Sequence, residues 1–195
     1  SHANPMSKII EVEVRGNLSE SEYDALKNKL ESEAELVERH DRTMYLLRDY
    51  AGYTKDFVGR STDIRLRNTD GKCEIMLKQK VGDAREEVSL KLFDTDLEQA
   101  KKVVKALGCT SAIEMHRLKE VFMLHGVEWS LVKAPPSDIM YWEAEISVDD
   151  VSKVDAAHAR LAEEAQALGV PMLDDEGTRD LIHRLDTEAN TEVKL

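Results

Sequence analysis

The chain has 195 residues, enough for one domain or a compact pair. Its apolar content of 42% and charged content of 34% describe a globular protein with an ordinary core, and no stretch approaches the roughly 18 apolar residues of a membrane span. A net charge of −12 disfavours nucleic acid as a partner, since that affinity comes from a basic surface, but it leaves room for an enclosed anion site.

Ser1 to Pro5 precede the first methionine, Met6, and read as an expression scar. Residues 9–15, Ile-Ile-Glu-Val-Glu-Val-Arg, alternate strictly. As a strand they place Glu11, Glu13 and Arg15 on one face and Ile10, Val12 and Val14 on the other. Ser19 and Glu22 match a capping box, and Tyr23, Leu26 and Leu30 follow at helical spacing, so an amphipathic helix is expected to about Glu35. Residues 36–50 are mixed, with a short strand at 43–47 and Arg42 and Arg48 near its ends. Residues 51–61 hold Gly52 and Gly59 and read as a loop.

Alternation returns at 63–67. Asp63, Arg65 and Arg67 share one face; Ile64 and Leu66 share the other. Asn68-Thr69-Asp70-Gly71 is a hairpin turn, because Asp-Gly tolerates positive φ. The returning strand puts Glu74, Lys78 and Lys80 on one face. After a turn at Gly82-Asp83, Arg85, Glu87, Ser89 and Lys91 oppose Val88, Leu90 and Leu92. Asp94 or Thr95 caps a second helix with the stripe Leu97, Ala100, Val103, Val104 and Leu107, closed by Gly108. Residues 115–122 put Arg117 and Lys119 opposite Leu118 and Phe122, with His116 on the apolar side as packing or surface. Gly126 leads into a strand at 127–133, and Pro135-Pro136 makes a loop. Residues 141–148 set Glu143, Glu145 and Ser147 against Trp142, Ala144, Ile146 and Val148. Val154, Ala157, Leu161, Ala165 and Leu168 then mark a helix ended by Gly169 and Pro171. A short helix at 177–185 follows, and 188–195 reads as a frayed tail.

At least six strands thus carry charge on one face and aliphatic side chains on the other. The few helices are amphipathic, and the apolar strand faces are their natural partners. The charged faces then point away from the helices. An open sheet would display them to solvent; a closed one would gather them inside and leave no free edge. Strand order alone does not choose between the two. Cys73 and Cys109 lack metal-type spacing and are too few for a disulfide framework, which makes a reducing cytoplasm the simplest compartment.

Six of these motifs, in order, resemble those of the CYTH family, the adenylate cyclase and thiamine triphosphatase superfamily of triphosphate tunnel enzymes. Glu11-Val-Glu-Val-Arg15 resembles Glu-x-Glu-x-Lys. Arg65-Leu-Arg67 resembles Arg-x-Arg. Met76-Leu-Lys78 is similar to Thr-Leu-Lys, and Arg85-Glu-Glu87 to Arg-x-Glu. Arg117-Leu-Lys119-Glu-Val-Phe122 resembles Lys-x-Arg-x-x-Tyr with the basic types exchanged, and Glu143-Ala-Glu145 resembles the closing Glu-x-Glu. The resemblance spans about residues 9–185. Some features depart from it. Arg15 stands for Lys, and Lys133 lies near the place of an Asp. The Leu-Gly dipeptide before the closing acids is absent, and the usual Tyr of the last helix is not evident, with Arg179 nearby.

The resemblance implies an α+β fold: a closed eight-stranded antiparallel β-barrel, the triphosphate tunnel, with amphipathic helices packed outside. It implies one domain over 7–187, with 1–6 before it and the tail 188–195 after it. It also implies hydrolysis of inorganic triphosphate, a nucleoside triphosphate or thiamine triphosphate. Arg65, Arg67, Lys78, Lys80, Arg85, Arg117 and Lys119 would bind the small-molecule triphosphate as forks and point charges. Glu11, Glu13, Glu143 and Glu145 would hold Mg²⁺ or Mn²⁺, hard ions that suit carboxylates without His or Cys. Glu11, Glu13, Arg15 and Lys78 would serve catalysis. An adenylate cyclase of the same fold, making cyclic AMP from ATP, is the enzyme alternative; a non-catalytic polyphosphate or nucleotide binder is the other. The oligomeric state is open, with a homodimer allowed, and no membrane partner is implied.

Overall fold

Alternation along the first strand governs the whole architecture. In β1 (Ile10–Leu18), Ile10, Val12 and Val14 are buried, while Glu11, Glu13 and Arg15 are half-buried on the opposite face. The computed structural model describes residues 9–93 and 95–195. The residues read as an expression scar, and Asp94 as a helix cap, lie outside the described residues.

The elements that follow are α1 (Glu20–Glu33), β2 (Glu35–Leu47), β3 (Thr62–Thr69), β4 (Lys72–Val81), β5 (Ala84–Leu92), α2 (Leu97–Ala106), β6 (Ser111–Leu124), β7 (Val127–Lys133), β8 (Met140–Val148), α3 (Val154–Ala167), α4 (Asp175–Glu188) and β9 (Thr191–Lys194). The strands run β2-β3-β4-β5-β1-β8-β7-β6, and β6 pairs back onto β2, so eight antiparallel strands close into a ring. The joint between β5 and β1 is short, with Ile10 opposite Glu86 and Glu11 opposite Arg85. The long β2–β6 pairing, from Glu35 opposite Met123 to Leu47 opposite Ala112, seals the other side.

Local chemistry explains the turns and caps. Asp70 and Gly71 both take positive φ, 49° and 87°, as a tight hairpin demands. Ser19 accepts from the Glu22 amide and Glu22 returns the bond, completing the expected capping box. Asp96, one residue beyond the expected caps, does the same with Gln99 for α2. Gly16 has no Cβ because Trp142 and the Pro171 carbonyl occupy that space.

The helices lie outside the ring and divide its core. α1 and α3 cover the outer faces of β1, β7 and β8, where Trp129, Trp142, Leu26, Leu30 and Leu161 pack. Trp129 and Trp142 meet with ring centroids 5.1 Å apart. α2 places Ala100 and Val104 against Tyr45, Leu47, Leu66 and Ala112. α4 differs. Its Leu181 and Leu185 pack on Val132 and Tyr141, which share the ring-facing side of their strands with Ser130 and Glu143. α4 is therefore set across one end of the ring rather than along its flank.

Several expectations change. β2 is thirteen residues long rather than five. Its first half, Glu35 to Arg39, is exposed and carries a register shift between Leu36 and Glu38, so it shows no two-residue apolar period. α4 is a full fourteen-residue helix. The tail expected to fray contains β9, which pairs with the first residues of β6, Ser111 opposite Lys194. The α2 stripe is only partly a core stripe: Val103 and Leu107 are 58% and 79% exposed, and no helix covers Val88 and Leu90 of β5, which are also exposed. His116 is a surface residue, with Nε2 2.5 Å from Asp41 Oδ1. No helix among the described residues is long and apolar enough to cross a membrane.

Candidate active site

The inward faces of the strands supply the site. Register sets Glu13 opposite Glu145 and Arg15 opposite Glu143 on β1 and β8. It sets Glu145 opposite Glu128, and Glu143 opposite Ser130, on β7. Across the ring, Arg42 lies opposite Arg117, Arg67 opposite Glu74, and Lys78 opposite Glu87. Charges that are far apart in sequence thus share one interior, because β-pleating puts every second side chain there.

Cations dominate one part of that interior. Arg42 donates from Nε to Thr69 Oγ1 at 3.0 Å and has no ion pair among the described residues. Burial, and then the neighbouring Arg67 charge, lower its pKa to about 10. Arg117 is buried, and its guanidinium reaches only neutral oxygens: Tyr141 Oη at 3.2 Å, Asn190 Oδ1 at 2.8 Å and the His116 carbonyl at 2.7 Å. Arg67 alone of these three has a carboxylate, Glu74, at 2.6 Å. Three guanidinium groups therefore share one acid.

Acids dominate another part. Burial, and then a hydrogen bond with Glu87, push the Glu11 pKa up to about 7, although Lys78 Nζ lies 3.2 Å from Glu11 Oε2. Burial, and then the Glu13 and Glu11 charges, push Glu145 up to about 9. Burial also raises Glu128. Glu13 is the exception. Burial opposes its ionisation, but Arg15 and Lys78 outweigh that and hold its pKa at about 2; Arg15 donates to it directly. Glu143 accepts from Lys119 Nζ at 3.0 Å.

A third group closes a ring end beneath the loop at 48–61. Asp63 is fully buried and accepts from Arg60 at 3.0 Å, Arg65 at 2.8 Å and Arg85 at 2.7 Å. Burial opposes its charge, yet the three guanidinium groups hold its carboxyl well below the usual range. Phe57 from the same loop lies under Arg15 and Arg85, 5.2 and 4.6 Å from its centroid. Arg179 of α4 bonds Asp56 of this loop at 3.2 Å.

The predicted residues do not all fall in one place. Glu11, Glu13, Arg15, Arg67, Lys78, Arg117, Lys119, Glu143 and Glu145 come together inside the ring. Arg65 and Arg85 are tied to Asp63. Lys80 is exposed at the rim and donates to the Val58 carbonyl at 3.3 Å, outside the enclosed set. Lys133 faces outward, opposite Met140 and Leu118, with Nζ 4.9 Å from the Tyr23 ring centre; the inward acid of β7 is Glu128.

Sequence reasoning did not assign Arg42, Glu128, Ser130 or Tyr141 to the site. Glu128 and Ser130 alternate with Val127, Trp129 and Leu131, so parity could have found them. Arg42 was hidden because it lies in a run, Glu38 to Thr43, that is polar on both faces.

The carboxylates fit a hard divalent cation in kind: all donors are oxygen, and Glu145 has no ion pair among the described residues. As placed, no three acids, histidines or cysteines among those residues share a metal-sized point. Glu11, Glu13 and Glu143 each face an ammonium or guanidinium group instead, and a bound ion would compete with these partners.

The CYTH domain model matches residues 9–178. The chain belongs to the CYTH domain family. Among solved structures, the CYTH chain resembles the PH1819 protein of Pyrococcus horikoshii (16% identity, 89% of this chain and 98% of that one, TM-score 0.72). It also resembles a Vibrio parahaemolyticus protein proposed to be an adenylate cyclase (17% identity, 83% and 89%, TM-score 0.64). A third is HpAC1 of Hippeastrum, described as having a dominant triphosphatase activity (16% identity, 84% and 89%, TM-score 0.53). At these identities the likeness shows the fold. No curated protein matches the chain.

Proposed function

We propose that this CYTH protein hydrolyses a small-molecule triphosphate with the help of Mg²⁺ or Mn²⁺. The observation that carries this reading is that Arg42 and Arg117, beside Arg67 with its Glu74, face the interior bonded only to neutral oxygens among the described residues. A group of like charges in a half-dry interior is costly unless a polyanion joins it. Arg42, Arg67, Arg117 and Lys119 would grip phosphate oxygens, with Arg as planar forks and Lys as a point charge. Water exclusion strengthens each contact, because Coulomb energy grows as the effective dielectric falls.

Glu11, Glu13 and Glu145, with Glu143 and Glu128 beside them, would hold the metal. When bound, the ion supplies charge neutralisation between phosphate oxygens and lowers the pKa of water. Glu145 must lose its proton to ligate, so metal binding releases a proton at neutral pH. Arg15 holds Glu13 ionised and ready. Lys78, which stands opposite Glu87 and donates to Glu11, would offer a phosphate oxygen a point charge beside the metal-holding acids. Asp63 keeps Arg65 and Arg85 fixed at one end.

The test is direct. The protein is incubated with tripolyphosphate, ATP or thiamine triphosphate, with Mg²⁺ or Mn²⁺, while phosphate and cyclic AMP are followed. Phosphate release that stops with chelator is expected. Cyclic AMP without phosphate release would make the chain a cyclase, and tight binding without product would make it a binder.

A further inference from the structure

We propose that His40, oriented by Glu38, is the proton acceptor for the attacking water in this hydrolysis; the inference rests on the triphosphatase reading above. His40 sits on β2 in register with Lys119, two positions from Arg42, and shares their inward parity. Its side chain is only 4% exposed. Nδ1 lies at ion-pair distance, 2.9 Å, from Glu38 Oε1 but outside hydrogen-bond alignment, and both Nδ1 and Nε2 are buried with no hydrogen-bond partner among the described residues. A buried polar atom without a partner is costly, so such atoms mark either strain or a ligand position.

The chemistry of that atom is restricted. Glu38 beside Nδ1 favours the tautomer with the proton on Nδ1, which leaves a lone pair on Nε2. A lone pair among cations cannot serve a phosphate oxygen, since both are acceptors. It can accept from a hydroxyl. The arrangement of carboxylate, imidazole and free Nε2 is that of an oriented general base. The groups facing the ring are Glu38 and Arg42 from its own strand and Lys119 from β6. Burial and then Arg42 lower the imidazole pKa below 6.5, against the pull of Glu38, so it is unprotonated at neutral pH.

In the step, Nε2 takes a proton from water as the water oxygen bonds to the terminal phosphorus. The bond from that phosphorus to the bridging oxygen breaks, and its electron pair leaves on the remaining diphosphate or nucleotide. Phosphate departs, and the imidazolium returns its proton to bulk water.

The test compares the full chain with His40→Gln and Glu38→Gln, using tripolyphosphate and Mg²⁺ or Mn²⁺. In His40→Gln, kcat is expected to fall about a hundredfold, with KM within about threefold. The acid limb of the wild-type kcat profile, lying below pH about 6.5, should vanish. Glu38→Gln removes an exposed carboxylate, keeps the fold and should give a smaller fall with a shifted limb. Nitrogen NMR of the unliganded wild type should show His40 protonated on Nδ1 alone at neutral pH. Nε2 protonation, or wild-type kcat and an unchanged acid limb in His40→Gln, overturns the role while leaving the triphosphatase reading intact. A wild type that hydrolyses no triphosphate overturns both.

Discussion

Two parts of the same ring interior carry opposite excesses of charge. Around β2, β3 and β6, Arg42, Arg67 and Arg117 share one carboxylate. Around β1, β7 and β8, Glu145 stands between Glu13 and Glu128, and neither Glu145 nor Glu128 has an ion pair among the described residues. By contrast, the Asp63 cluster is closed in that all three of its guanidinium groups bond the carboxylate, at 3.0, 2.8 and 2.7 Å, whereas Arg42 and Arg117 bond none among the described residues. A closed cluster contributes stability; an open one costs stability and is kept for what it binds. The difference separates the residues that hold the ring from those that use it.

The comparison can be broken most severely at Asp63. Asp63→Asn leaves one buried and two half-buried cations without their acid and should cost about 3–5 kcal/mol in denaturant unfolding. A loss below 1 kcal/mol would mean that the cluster is not structural.

Glu145→Gln should act in the opposite sense. It removes a buried acid that resists ionisation, so the metal-free protein should become more stable at pH 8. Metal-dependent turnover should fall by about a hundredfold or more. Lower stability together with full activity would erase the distinction between the two regions.

Arg42→Gln sharpens it from the cationic side. Triphosphate should bind about 10- to 100-fold more weakly, from the loss of charge-assisted bonds, with no fall in the unfolding midpoint because Arg67 loses a like-charged neighbour. Isothermal titration and thermal melts read both values.

The pH dependence of stability follows from the same contrast. The Asp63 pKa is depressed on folding from 3.8, so its contribution is present above pH about 4 and is lost as pH falls below that. The Glu145 pKa is raised from 4.5 to about 9, so its contribution is present below pH about 4.5 and is lost as pH rises toward 9. Stability of the metal-free protein should therefore decline from both sides, and Glu145→Gln should flatten only the alkaline decline. The smallest effect is expected at Lys80. Lys80→Ala removes an exposed rim charge and should change KM by less than about fivefold.

Much of this was legible in the chain itself. Parity alone placed Glu11, Glu13, Arg15, Lys78, Lys119, Glu143 and Glu145 on common faces, because alternation along a strand is a local property. Capping by Ser19 and the turn at Asp70-Gly71 were equally local. β2 was not legible along its first half: Leu36 and Val37 are adjacent and exposed, and Glu38 to Thr43 are polar on both faces, so no alternation shows there. The outer face of β5 misled in the opposite way, since Val88 and Leu90 are aliphatic yet uncovered.

Sequence by itself determined which side chains share a strand face and where α1 begins, since both depend on neighbours a few residues away. Tertiary structure alone decided that β2 meets β6, that α4 crosses one end, and that Asp63 joins Arg60, Arg65 and Arg85 while Arg42 keeps no acid. Those outcomes depend on register and closure between distant strands, and a two-residue period carries no information about either.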